Sequence, residues 1–226
     1  MNSIKNNLES IIASLPANHT VTLVAVSKFQ APELIKEAYN AGQRIFGESR
    51  VHELSDKVKI LPADIKWHFI GHLQTNKISN LLRIPGLAMI ESIDSFRLLE
   101  LVDKEATKLN VLAHVLLEVH VAQETTKFGF ETDELIEWFQ NKGYCNLTSV
   151  HIHGLMGMAS NTDDENRIQA DFRKITECYS KIKRISTDLL GFDMLSMGMS
   201  GDYLIAIKEG ANMIRIGSSI FGERGY

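Results

Sequence analysis

A lysine, an arginine and two turns of small residues are the groups in this chain whose types and spacing could do chemistry. Lys28 ends the apolar run VTLVAVSK, where period-2 alternation puts Val24, Val26 and Lys28 on one face of a strand. An ammonium at the end of a buried row has its charged form disfavoured, which supplies the neutral amine that Schiff-base chemistry needs. A strand-end lysine reaching into solvent is the plainer alternative. Toward the C-terminus, SMGMSGD (196–202) and RIGSSIFG (215–222) are small-residue turns. Ser200, Gly217, Ser218 and Ser219 can bring backbone N–H groups to a phosphate without steric cost, and the serines add hydroxyl donors. Ordinary turn chemistry with a serine N-cap would use the same residues. Arg215 alternates with Met213 and Gly217, so it faces inward with them. A buried guanidinium stays charged and needs a partner, for which Glu48 and Glu118 are the nearest candidates in type.

Histidines are numerous in the apolar runs. His151 and His153 share a strand face and could ligate a metal. A metal hydrolase would also want a carboxylate at another strand end, where the last strand offers only Arg215, so these are expected to be satisfied core histidines and no metal site is expected. Met156, Met158 and Met199 are adaptable packing that could also lie against a flat ring.

The elements that must position these groups follow from patterning. Eight short apolar runs (21–28, 44–49, 66–71, 87–94, 112–121, 148–158, 193–199 and 213–222) alternate with segments of helical period. The clearest helices are 31–42, with Pro32 in its first turn and Gly42 as a stop; 95–110, with Ser95 as N-cap; 132–142; and 163–187. Nearly continuous apolar strands signal a parallel sheet covered on both faces. Eight such units predict a single (β/α)8 barrel over residues 1–226, with its chemistry at the C-terminal ends of the strands. The alternative, a doubly wound sheet, gains no support because no GxGxxG follows the first strand. An amphipathic N-terminal helix carrying Ile4, Leu8, Ile11, Ile12 and Leu15 is expected to cover the barrel floor.

At 226 residues, 44% hydrophobic and 23% charged, the chain can bury a single sizeable core. Its net charge of -4 argues against a nucleic-acid binder, and no apolar run approaches the about 20 residues that span a bilayer. Cys145 and Cys178 lie far apart without metal-ligand spacing, as expected of a cytoplasmic protein.

Seven segments carry a resemblance: VAVSK (24–28), FGES (46–49), WHFIGHLQTNK (67–77), KFG (127–129), HGLMGM (153–158), SMGMSGDY (196–203) and IRIGSSIFGER (214–224). Across essentially its whole length the chain resembles the pyridoxal phosphate homeostasis proteins. The resemblance implies an alanine-racemase-type barrel binding pyridoxal 5'-phosphate (PLP) as a Schiff base on Lys28. It implies that Ser200, Gly217 and Ser218 hold the phosphate, with Met199 and Ser49 nearby, and that Arg215 meets the pyridine nitrogen. An arginine there keeps that nitrogen unprotonated, which makes the ring a poor electron sink. The chain departs from the family pattern at Ser49 and His52, where asparagine and glutamine are usual, and at His72, where proline is common. No further β-domain and no second acid/base tyrosine is expected, so a carrier that buffers or delivers PLP is favoured over a weak racemase or lyase. A monomer is expected, with PLP-dependent apo-enzymes as possible recipients. On residue chemistry alone, a Schiff-base aldolase acting on a phosphorylated sugar would use the same lysine and cradle.

Overall fold

The computed structural model describes residues 3–16, 20–122 and 128–222. Eight parallel strands close into a barrel in chain order: β1 (Thr22–Val26), β2 (Ile45–Glu48), β3 (Lys66–Phe69), β4 (Leu87–Ile93), β5 (Ala113–Val119), β6 (Val150–Gly157), β7 (Met194–Ser196) and β8 (Met213–Ile216). The last strand pairs with the first, matching Val24 to Arg215 and Ala25 to Ile216. The helices are α1 (Ile4–Ser14), α2 (Pro32–Asn40), α3 (Val51–Lys57), α4 (Ile78–Leu82), α5 (Phe96–Leu109), α6 (Thr132–Gln140), α7 (Glu165–Ile185), α8 (Tyr203–Lys208) and α9 (Ser218–Phe221). Among the described residues no helix is long and apolar enough to cross a membrane.

Local chemistry sets several boundaries where the sequence places them. Ser95 caps α5 by accepting from the Leu98 N–H at 3.3 Å, and Asn110 ends it in the left-handed conformation. Pro32 opens α2, where its missing N–H costs nothing. The small-residue turn after β7 leads into α8, which begins at Tyr203. Helices α3 and α4 carry no clear signal in the sequence because each is too short to develop an apolar period.

Alternation along the strands divides the apolar residues between two cores. Outward residues, among them Phe46, Phe69, Ile214 and Ile216, pack with the helices in the larger core. Inward residues Val24, Met89, Leu116, Met156 and Met213 fill the lumen, with Met158 packed against them.

The N-terminal helix does not cover the barrel floor. It lies on the outer wall against α2 and α9. The Ile4 N–H donates to Glu37 of α2, the Asn7 side chain to the Ile220 carbonyl of α9, and Ser14 pairs with the Tyr203 hydroxyl. The reason is coverage: α9 is a single turn, too short to shield the wall beside β8 and β1, and the Ile4, Leu8 and Ile11 stripe fills that place. Leu8→Ala should therefore behave as a core truncation, costing about 2–5 kcal/mol. A lowered midpoint of urea unfolding is the measurement, and an unchanged midpoint would contradict this packing.

Candidate functional site

The chain leaves β1 at Val26, so Lys28 stands on a turn at the C-terminal rim of the barrel, half-buried, rather than within the strand. That turn is strained: Phe29 has φ 65°, a conformation costly for a large side chain. Helix α3 holds it in place. Glu53 accepts from the Phe29 N–H at 2.6 Å, and the buried Lys57 ammonium donates to the Ser27 carbonyl at 2.8 Å. Lys57 also donates to Glu48 at 2.7 Å and to Glu53 at 2.6 Å, while the Ser27 hydroxyl donates to Glu48 at 2.6 Å. Burial pushes the Glu48 carboxyl above the usual carboxylate range despite Lys57 and Ser27. Sequence reasoning missed this support. The Glu53–Lys57 pair at i,i+4 reads as a solvated helix face, and nothing local shows that the lysine is buried.

Across the rim, the turns after β7 and β8 meet. Ser200 Oγ accepts from the Gly217 N–H at 3.3 Å and the Ser219 N–H at 3.4 Å. A Cβ on Gly217 would meet Val26 of β1 at 3.4 Å, an ordinary contact distance, which sets this turn directly beside β1. Gly198 adopts φ +92°, and a Cβ there would lie 2.7 Å from that of Ala206, so the turn between β7 and α8 requires glycine. The Met199 N–H is held by Asp202 at 2.5 Å, and the Met199 side chain is exposed. Burial pushes the Asp202 carboxyl above its ordinary value, against the Met199 N–H and the charge of Arg215. Ser218 opens α9 and is exposed.

Arg215 points into the lumen and is only 4% exposed. Nη1 donates to Ser196 through its carbonyl at 2.9 Å and its hydroxyl at 2.5 Å, and Nη2 donates to the Gly157 carbonyl at 3.0 Å. Its ion partner is Glu91, with Nη1 3.6 Å from Oε2, and neither Glu48 nor Glu118. Glu48 is claimed by Lys57 from outside the lumen. Glu91 is shared with His68 at 2.6 Å and the Ser196 hydroxyl at 2.7 Å. Burial acts to raise Glu91, but the His68 bond and charge, Arg215 and Ser196 outweigh it and hold the carboxyl below its ordinary value. A glutamate two residues from the lumen methionine Met89 was a signal available in the sequence.

Ser49 is half-buried on the same rim, and a Cβ on Gly71 would fall 2.2 Å from its carbonyl, so the turns after β2 and β3 are in direct contact. His72 bonds Asp94 at 2.9 Å and stacks on Phe128 at 3.9 Å. His52 lies outside the mouth, exposed and paired with Asp56 on α3. Lys127 of the KFG motif and Tyr226 lie outside the described residues. His114, His151 and His153 gather at the starts of β5 and β6, at the opposite end of the barrel.

Comparisons with known proteins place the chain in a family and match its fold. The family model for the alanine racemase N-terminal domain matches residues 1–225. A pyridoxal phosphate homeostasis protein of Aquifex aeolicus is 39% identical over 205 residues, covering 90% of this chain and 87% of the relative. The structure of PipY from Synechococcus elongatus with PLP bound is 34% identical with a TM-score of 0.87, covering 97% of this chain and all of that one. An alanine racemase from Clostridium difficile shares the fold at 16% identity and a TM-score of 0.75, and this chain spans 57% of it.

The lowered Glu91 value has a pH consequence. Its contribution to stability is present above the unfolded value, about 4.3, and is lost as pH falls through the lower folded value. Glu91→Gln leaves Arg215 buried without its anion and should cost about 3–5 kcal/mol near neutral pH. Denaturant midpoints measured across the acid range should also fall less steeply in the variant, whereas a wild-type acid limb would show that Glu91 is not the compensating charge.

Proposed function

We propose that this chain, which belongs to the alanine racemase N-terminal domain family and within it to the pyridoxal phosphate homeostasis proteins, is a single-domain PLP holder that carries the cofactor as a Schiff base on Lys28 and buffers or delivers it. One observation carries this reading: the β1–β8 pairing sets the turn of Lys28 beside the amides of Gly217 and Ser219. PLP, when bound, supplies an aldehyde for amine capture and a ring able to take up electron density. Lys28 would provide the amine. Ser200, Gly217 and Ser218 would hold the phosphate, with Met199 beside them and Ser49 across the mouth. The start of α9 and the serine hydroxyls around it suit a dianion, with the Gly217 and Ser219 amides turning from Ser200 Oγ to the ligand.

Arg215 favours holding over turnover. A guanidinium only donates, and Glu91, Ser196 and Gly157 hold it in one position. A ring nitrogen facing it would stay unprotonated, which weakens carbanion stabilisation. A racemase also needs a second proton-transfer group opposite the lysine. Tyr203, at the start of α8, instead directs its hydroxyl to Ser14 of α1 at 2.9 Å. Two free thiols support a cytoplasmic setting, and we take the protein as a monomer that can pass PLP to apo-enzymes.

Borohydride reduction of the PLP-loaded protein followed by peptide mapping tests the assignment. Lys28 should carry the label, and Lys28→Ala should lose the visible absorption band. A label confined to another lysine would return Lys28 to a structural role. Ser200→Ala, which removes one hydroxyl from the cradle, should weaken PLP binding about tenfold. With each common L-amino acid, product should stay below one equivalent per chain, and sustained turnover would replace the carrier reading with an enzyme.

A further inference from the structure

We propose that His114, His151 and His153 form a binding site for a divalent transition metal of the zinc class at the N-terminal end of the barrel, opposite the PLP mouth. The three side chains each place a ring nitrogen within 4.8 Å of the other two, and all three are half-buried. Two adjacent strands supply them: His114 is the register partner of His151, and His153 follows on the same face of β6. The ring planes lie close, with centroids 4.2 Å apart for His151 and His153 and 4.9 Å for His114 and His153.

The segment between α7 and β7 already orients two of the rings for coordination. His151 Nε2–H donates to the Leu190 carbonyl at 2.7 Å, which leaves the lone pair on Nδ1. His153 engages the Gly191 backbone with one nitrogen and His114 Nδ1 with the other, Nε2, at 2.8 Å. A backbone carbonyl that takes one N–H and leaves the opposite nitrogen as donor is the outer support that metal-binding imidazoles use. Gly191 sits at φ +73°, and a Cβ there would press within 3.2 Å of the His151 ring, so the glycine leaves room for this approach.

His114 and His153 already share a hydrogen bond between ring nitrogens that the ion would need. A metal would replace that hydrogen bond: the imidazole that donates it would shift its proton to its other ring nitrogen by exchange with solvent, with no net proton released, and three neutral nitrogens would become ligands with no change of oxidation state. Ligands about 2.0–2.1 Å from the ion need to draw together only by small ring rotations, and the half-exposed side leaves a fourth position to water. The Asp193 carboxylate, close enough to act on His153, offsets part of the ion's charge. Three imidazoles without thiolate suit Zn2+, and also Cu2+ or Ni2+. Bound there, the ion would staple β5 to β6 far from the cofactor.

Titration of the PLP-loaded protein with Zn2+ by calorimetry is the test. One ion per chain is expected, with affinity reduced about tenfold or more in each of His114→Ala, His151→Ala and His153→Ala, and with PLP absorbance retained as a control for folding. Co2+ added to the wild-type protein reads the site without any variant and should give the intense visible bands of a four-coordinate centre. Zn2+ should also raise the Tm of the wild type and not that of the triple variant. Zinc binding unchanged in the triple variant, or a weak six-coordinate cobalt spectrum, would overturn the assignment.

Discussion

Pairing of β8 with β1 is the constraint from which the site follows. A parallel barrel closes only if the first and last strands align, and here Val24 meets Arg215 and Ala25 meets Ile216. That register brings the turn of Lys28 beside Gly217–Ser219, joining residues from the two ends of the chain at one rim. Because every strand runs the same way, the turn after β7 arrives at the same rim, and Ser200 bridges the Gly217 and Ser219 amides. The cradle and the lysine are therefore products of closure rather than of either segment alone.

Two buried charge networks then fix the site's contents. Inside the lumen, Arg215, Glu91, His68 and Ser196 interlock, with each charge partnered. Outside the strands, Lys57 links Glu48, Glu53 and the Ser27 carbonyl under the lysine-bearing turn. Buried ion pairs add little net stability once desolvation is counted, but removing one member is expensive. Their effect here is positional. One holds a guanidinium in the lumen in a single position, and the other holds a left-handed turn that Phe29 would not adopt unaided.

These features are the basis for proposing that the mouth holds a cofactor and does not transform a substrate. In that proposal the turn at α9 would address an anion and Lys28 an aldehyde, while Arg215 offers only hydrogens to donate. Tyr203, a residue type that could return a proton, is tied to α1 on the outer wall. The opposite end of the barrel is chemically separate, with its three histidines braced by the segment between α7 and β7.

The fold was legible in the sequence because near-continuous apolar strands alternating with helical periods have few stable arrangements, and all eight strands are where that pattern puts them. The two small-residue turns and the inward Arg215 were legible too, since residue type and period-2 alternation are local properties, whereas Lys28, read as the end of the buried row, stands on a turn beyond β1. The partners of these groups were not. Glu91 rather than Glu48 or Glu118 meets Arg215, Lys57 and Glu53 brace the turn of Lys28, and α1 covers the wall beside α9 instead of the floor. The His114 ring joins His151 and His153 only through the register of β5 with β6. Sequence by itself determined which residues face inward and which can turn, because those depend on neighbours along the chain. Tertiary structure alone decided which charges are buried together, because that depends on strand register and on which helix is long enough to cover each wall.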